Sequence, residues 1–292
     1  MTGSGSAPTR SLDREALTRY VLDRQTPTGG FCFYRTPEWG VDEPNAPDTL
    51  AALESLRLVG RQAPVPELTA AWLQTLQQDD GGFATLRIGW AALRALQTLG
   101  VQPRRSADAW AAGRLRRVLQ APPIREWRSA LFEFLELVEL LPAVHIELEQ
   151  QQHDALRGLL EAARMPGGGW TRDGIELEST AVAVRVLQLA RLPIEQPDTL
   201  RRLVAECGDS VLGLRISPEA GATSAATLHA GLVLATALGI QPTYPEAIAS
   251  NIALLQRRDG GLGRRDKAIS TLQDTWLGLA AEQLLHDLRK TG

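Results

Sequence analysis

Lysine is nearly missing from this chain: Lys267 and Lys290 are the only two among 292 residues, and arginine carries the remaining positive charge. The balance is slightly acidic, with a net charge of −3 and a pI near 5.9, so no basic footprint for nucleic acid exists. Cysteine is equally scarce. Cys32 and Cys207 are too few for a disulfide framework or, unaided, for a structural zinc site. Long apolar runs are absent too. The most apolar stretch, 225–240, is shorter than a membrane span, carries His229, and reads as a buried helix. Residues 1–10, MTGSGSAPTR, lack the apolar segment of a secretory leader and read as a disordered lead-in, leaving 11–292 as a single domain. The chain therefore reads as soluble and cytoplasmic, with no transmembrane segment.

What is present is leucine and alanine within a hydrophobic content of 44%, a composition that favours helix over sheet. It is also repetitive. The turn GGF occurs at Gly29-Gly30-Phe31 and Gly81-Gly82-Phe83, returns as GGGW ending at Trp170, and closes as GGL ending at Leu262. Weaker copies fill the gaps: APPIREW ending at Trp127 and VLGL ending at Leu214. The units are roughly 42 to 52 residues long, the range of helical-pair repeats. Each begins with an amphipathic helix, as at 67–78 or 245–256. A Gly-rich turn follows, where glycine can take φ > 0 after a helix end. A more uniformly apolar helix comes next, as at 90–99, 180–189 or 227–238, and Gly plus Pro then stops it. This grammar makes Gly82 the expected positive-φ residue of its turn.

Two alternating helix types imply two concentric layers: an all-α, (α/α)6 toroid of helical hairpins around a central apolar cavity. An open solenoid is the alternative, but solenoids end in polar capping repeats, and the last helix, 274–288, starts as apolar as the others.

The segments AWLQTLQQDDGGF (71–83) and NIALLQRRDGGL (251–262) resemble the repeat shared by squalene–hopene-type cyclases and protein prenyltransferase β subunits. So do PDTLAALESLRLVG (47–60) and the segment 274–284. The resemblance implies the toroid fold and an isoprenoid substrate, prenyl diphosphate or polyprenyl, held in the cavity. It does not fix the reaction. Zinc-dependent prenyltransferases carry an Asp and a Cys two residues apart at an inner-helix start. The matching positions here read Asp48-Thr49-Leu50 and Asp274-Thr275-Trp276, so no metal site is expected, and Cys32 reads as a packed apolar residue. The cyclases' Asp-x-Asp-Asp run is missing as well. No cofactor is expected, apart from Mg²⁺ accompanying the substrate if that is a diphosphate.

Inner-helix N-termini gathered at one mouth present free N–H groups suited to an anion. The turns add Arg35, Arg87, Arg125 or Arg128, Arg172, Arg215, and Arg264 or Arg265, although arginine sits well on any surface. Asp48, Glu178 and Asp274 stand at inner-helix starts, where simple capping also explains an acid. The segment 31–47 is an insertion that brings Phe31, Phe33, Tyr34 and Trp39 together with Asp42 and Glu43. Aromatic faces stabilise cations, and a buried carboxylic acid can start carbocation chemistry. Asp48, then Asp42 and Glu43, are the candidate acids. Trp90, Trp170, His229 and Trp276 are further candidate substrate contacts, with His229 equally readable as a core histidine. The competing reading is a non-catalytic binder of an apolar ligand, or a partner subunit; a homodimer is compatible with either.

Overall fold

The computed structural model describes residues 11–34, 42–120, 127–170 and 176–291. Its helices alternate between two layers. The outer layer holds α1 (Arg14–Leu22), α3 (Pro66–Thr75), α5 (Asp108–Gln120), α7 (Gln150–Ala162), α9 (Pro197–Glu206) and α11 (Pro245–Leu254). The inner layer holds α2 (Ala46–Leu58), α4 (Leu86–Thr98), α6 (Trp127–Leu140), α8 (Leu177–Leu189), α10 (Ala225–Leu238) and α12 (Leu272–Thr291). Two antiparallel hairpins frame the last two turns: β1 (Gly208–Asp209) with β2 (Gly213–Leu214), and β3 (Leu262–Gly263) with β4 (Ser270–Thr271).

Local chemistry sets the helix starts. Outer helices α3, α9 and α11 open on Pro66, Pro197 and Pro245, whose fixed φ suits the first helical position and whose missing N–H costs nothing there. Inner helices use side-chain caps instead: Asn45 accepts from Asp48 N–H, Thr85 from Ile88 N–H, and Ser224 from Thr227 N–H.

Each inner helix packs on the next, in the order α2, α4, α6, α8, α10, α12, and α12 returns to α2. The ring closes, and the solenoid alternative falls. The outer layer closes as well. Gln256 donates to the Asp13 carbonyl at 2.9 Å and accepts the Asp13 N–H at 2.8 Å, which ties the last repeat to the first.

The repeated turn is held by the same device elsewhere. Gln77 donates to the carbonyls of Gly81 and Arg105, both at 2.8 Å, and accepts the Arg105 N–H at 2.9 Å. The residue ending the turn is then pinned to its inner helix. The N–H groups of Phe31, Trp170 and Leu262 donate to the hydroxyls of Thr49, Thr180 and Thr275 at 2.9, 3.2 and 3.0 Å. Phe31 and Trp170 are wholly buried by this, each contributing about 2–3 kcal/mol of apolar burial.

One expectation about the turn needs correcting. The left-handed residue of the second turn is Gly81, at φ 83°, and not Gly82. Gly82 is required for a different reason: a Cβ there would lie 2.6 Å from Cδ1 of Trp110.

Candidate active site

An inner helix is enclosed by two ring neighbours and by outer helices, so one face alone, toward the ring's interior, can keep accessibility. The partly accessible residues recur at helical spacing and mark that face: Arg87, Arg94 and Thr98 on α4; Arg185 and Leu189 on α8; Ala226, His229, Val233 and Ala237 on α10; Gln273, Leu277, Ala280 and Leu284 on α12. The interior is therefore apolar along α10 and α12, apart from His229 and Gln273.

The α4–α6 wall is charged. Arg87 pairs with Glu136 at 2.6 Å, and Arg94 pairs with Glu139 at 2.6 Å. The indole N–H of Trp90 donates to the same Glu139 carboxylate at 2.8 Å, and both guanidiniums lie over the indole ring, 5.0 and 5.9 Å from its centroid. Burial pushes Glu136 above the usual carboxylate range, against the opposing pull of Arg87. Further along α2, Glu54 accepts from Thr98 at 2.8 Å and from Arg57. Trp90 is thus a fixed part of this wall.

At the N-terminal rim, Asp48 sits in the first turn of α2 but is not the cap. Asn45 is the cap, and its side-chain amide donates back to the Asp48 carboxylate at 2.6 Å. Burial raises the Asp48 pKa; hydrogen bonds from the Asn45 amide and the Phe33 N–H, with the charge of Arg87, offset part of this. Asp274 repeats the arrangement with Thr271, whose hydroxyl donates to its carboxylate at 2.7 Å. Burial raises Asp274 too, Thr271 and Arg264 oppose it, and nearby Glu178 adds to it. Glu178 is buried and accepts from the hydroxyls of Thr227 at 3.0 Å and Ser224 at 3.3 Å.

The remaining candidates divide. Phe33 and Tyr34 are exposed beside Asp48, with ring centroids 6.1 Å apart. Asp42 is half-buried and Glu43 exposed just before α2. Trp276 is half-buried on α12, next to the interior-facing Leu277. His229, enclosed and close to Arg185, has its pKa pushed down to about 4, chiefly by burial, and is neutral near pH 7.

Three candidates are corrected. Phe31 and Trp170 are fully buried turn anchors, and the Trp170 indole N–H is committed to the Leu160 carbonyl at 2.8 Å; neither presents a face to a substrate. Arg215 is turned toward the end of α9, donating to the Glu206 carbonyl at 2.7 Å, with Asp209 at 3.9 Å. Trp39, Arg35, Arg125 and Arg172, and the side chain of Arg128, lie outside the described residues.

Sequence reasoning passed over Glu136, Glu139, Arg94 and Arg185. A signal for the first two existed: Glu133, Glu136 and Glu139 recur every third residue through an otherwise apolar helix. Arg87 and Arg94, one on each side of Trp90, carried the complementary charge.

Cys32 and Cys207 are buried free thiols. Among the described residues, no group of three His, Cys, Asp or Glu side chains is placed to hold a metal ion. Among those same residues no helix is long and apolar enough to cross a membrane.

The comparisons agree with this geometry at the level of fold. The model of the prenyltransferase alpha-alpha toroid domain matches residues 4–100. A solved structure of Candida albicans protein geranylgeranyltransferase-I complexed with GGPP superposes with a TM-score of 0.71 at 10% identity, covering 94% of this chain and 91% of that one. A protein from Actinoplanes superposes with a TM-score of 0.53 at 17% identity, covering 95% of this chain and 100% of the other. Among curated proteins no sequence matches. The chain has the fold of a prenyltransferase β-subunit-like α/α toroid.

Proposed function

We propose that this toroid is an isoprenoid-processing enzyme, terpenoid cyclase-like, that takes a prenyl diphosphate or polyprenyl chain into the ring and acts on it by acid-initiated carbocation chemistry. The observation that carries the reading is Asp48: a carboxyl whose burial favours the protonated form, at the rim of the ring, beside exposed Phe33 and Tyr34. The protonated carboxyl would deliver its proton to an alkene carbon. The π pair becomes the new C–H bond, and positive charge appears on the more substituted carbon. The carboxylate left behind is held by the Asn45 amide and the Phe33 N–H. Aromatic faces at the rim, and Trp276 on α12, would stabilise the cation until it loses a proton or captures water. The apolar wall of α10 and α12 suits a hydrocarbon chain. The likeness to an enzyme complexed with GGPP points to the same ligand class.

Asp42 and Glu43 stand next in line as the acid or its orienting groups. If the substrate is a diphosphate, Mg²⁺ would arrive with it. A partner subunit or a second copy of the chain is compatible with this reading.

A second reading, a non-catalytic isoprenoid binder, draws on one observation: Asp48 and Asp274 both serve their helix caps, Asn45 and Thr271. One substitution separates the two. Asp48→Asn keeps size and hydrogen bonding but removes the ionisable proton. Stability should hold, while conversion of farnesyl or geranylgeranyl substrates, followed by gas chromatography, should fall by about 10²-fold or more. Undiminished conversion in the Asn variant would remove Asp48 from the chemistry; ligand binding without conversion by the wild type would favour the binder.

A further inference from the structure

Accessibility along α8 runs the wrong way for an open rim. From the N-terminal rim inward, its interior stripe reads Glu178, Val182, Arg185 and Leu189. Leu189 is half-buried and Arg185 exposed, so accessibility persists at that depth. Val182 and Glu178, nearer the rim, are each only 8% exposed. An uncovered rim would leave these two the most accessible of the four. Something roofs this sector, and the chain that crosses it is 215–224, the connection from β2 to α10.

This connection is long for its place. In the second repeat, residues 84 and 85 alone separate the turn from α4, and long connections on rigid scaffolds are where function concentrates. Its ends are pinned. The Arg215 N–H donates to the Cys207 carbonyl at 2.8 Å. At the other end the Ser224 hydroxyl accepts the Thr227 N–H at 3.0 Å, and the Ala225 N–H donates to the Arg264 carbonyl at 3.0 Å. Between these anchors the backbone bonds to itself, Ile216 N–H to the Ala222 carbonyl and Ala220 N–H to the Ser217 carbonyl, both at 3.1 Å. Among the described residues, one backbone bond ties it to the wall beneath: the Leu177 N–H, first in α8, donates to the Ile216 carbonyl at 2.9 Å. Gly221 is exposed, and a Cβ there would meet nothing within 4 Å.

The closed position also carries a defect. Thr223 Oγ1 is buried with no hydrogen-bond partner, which costs stability because water could serve the group outside. Swinging outward returns that hydroxyl to water and, of the backbone bonds, breaks only the one from Leu177 to Ile216. We propose that 216–223 is a lid, hinged at Arg215 and Ser224, that closes the rim over α8 and opens as a unit to admit molecules to the interior at Glu178 and Val182. It gives an isoprenoid ligand a way in, yet the motion itself needs no ligand, so the lid and the isoprenoid reading can fail separately.

The test is thiol labelling of the full chain carrying Val182→Cys, with a methanethiosulfonate reagent, no ligand present, and labelled sites located by mass spectrometry. Cys32, a buried thiol outside the lid, reports opening of the rest of the fold. Adding Thr223→Val replaces the orphan hydroxyl with a methyl of the same shape and favours the closed lid. Labelling at position 182 should slow by about fivefold or more, with Cys32 unchanged. Thr223→Ser keeps the hydroxyl, should label like the parent, and guards against a packing effect. Hydrogen exchange by NMR gives a second readout. The Leu177 amide is released only when the Ile216 carbonyl leaves, so it should exchange more slowly in Thr223→Val, while the Thr180 amide, bonded to the Glu176 carbonyl, should not change. Labelling at position 182 that ignores Thr223→Val overturns the proposal, because the reagent then reaches the interior by another route. Slowing in step with Cys32 overturns it too, since the whole fold would have to open.

Discussion

His229 and Asp48 are both enclosed ionisable groups, but burial moves them in opposite directions. Removal from water disfavours the charged form, so His229 falls to about 4 from 6.5, while Asp48, Glu136 and Asp274 rise above ordinary carboxylates. The consequences for stability have opposite signs. Between pH 6.5 and 4 the unfolded chain binds a proton at His229 that the folded chain refuses, so this contribution to stability is lost as pH falls. The three acids hold their protons longer when folded, so their unfavourable contribution fades on acidification. Substituting His229→Gln removes one side of this balance. The drop in Tm between pH 7 and pH 4.5 should be smaller in the variant than in the wild type; parallel curves would show that His229 is not enclosed. Asp48 could be singled out from sequence because it opens an apolar helix next to an acidic, aromatic loop. Its actual bond to Asn45 could not, because that depends on which residue caps the helix. Arg185 was passed over because a lone arginine in an apolar helix gives no sign of whether a partner faces it.

Among the elements, the Gly-rich turn is the most legible in sequence and was still misassigned in detail. The pattern GGF identifies the turn, but backbone geometry decides which glycine is left-handed. Gly81, at φ 83°, also has the Ser106 carbonyl oxygen where a Cβ would go. Gly60, at φ 71° after α2, has open space around it. The two positions therefore separate conformational strain from collision. Gly60→Ala should cost about 1 kcal/mol, the left-handed penalty alone. Gly81→Ala should lower Tm by several times as much, since the backbone of the next repeat must move. Similar losses at both positions in thermal melts would mean that the turn does not abut its neighbour. The helix starts were readable where Pro or Ser, Thr and Asn mark them, Thr271 before α12 included, and less so for α6, where the chain gives no such marker.

For the molecule as a whole, closure was readable from the apolar start of the last helix, and its agent is the contact between first and last repeats. Gly260 and Gly261 lie against Ala16 and the Tyr20 ring, Arg14 pairs with Glu282 at 2.6 Å, and Gln256 holds both backbone groups of Asp13. The periodicity of the repeats implied two layers. It could not show that one sector of the inner wall is ion-paired and another apolar, because charge pairing between α4 and α6 joins residues 45 to 49 apart. That asymmetry sets where a ligand can lie. The most direct measurement of the central claim, a ligand held inside the closed ring, is photo-crosslinking of the full chain with a diazirine-bearing farnesyl diphosphate, mapped by peptide mass spectrometry. Labelled residues should fall on the interior stripe of α8, α10 and α12, at Val182, Val233, Trp276 and Leu277, and competition with unlabelled farnesyl diphosphate should remove them. Labels confined to outer-surface residues such as Val211 and Leu254, or labels that competition leaves in place, would contradict it.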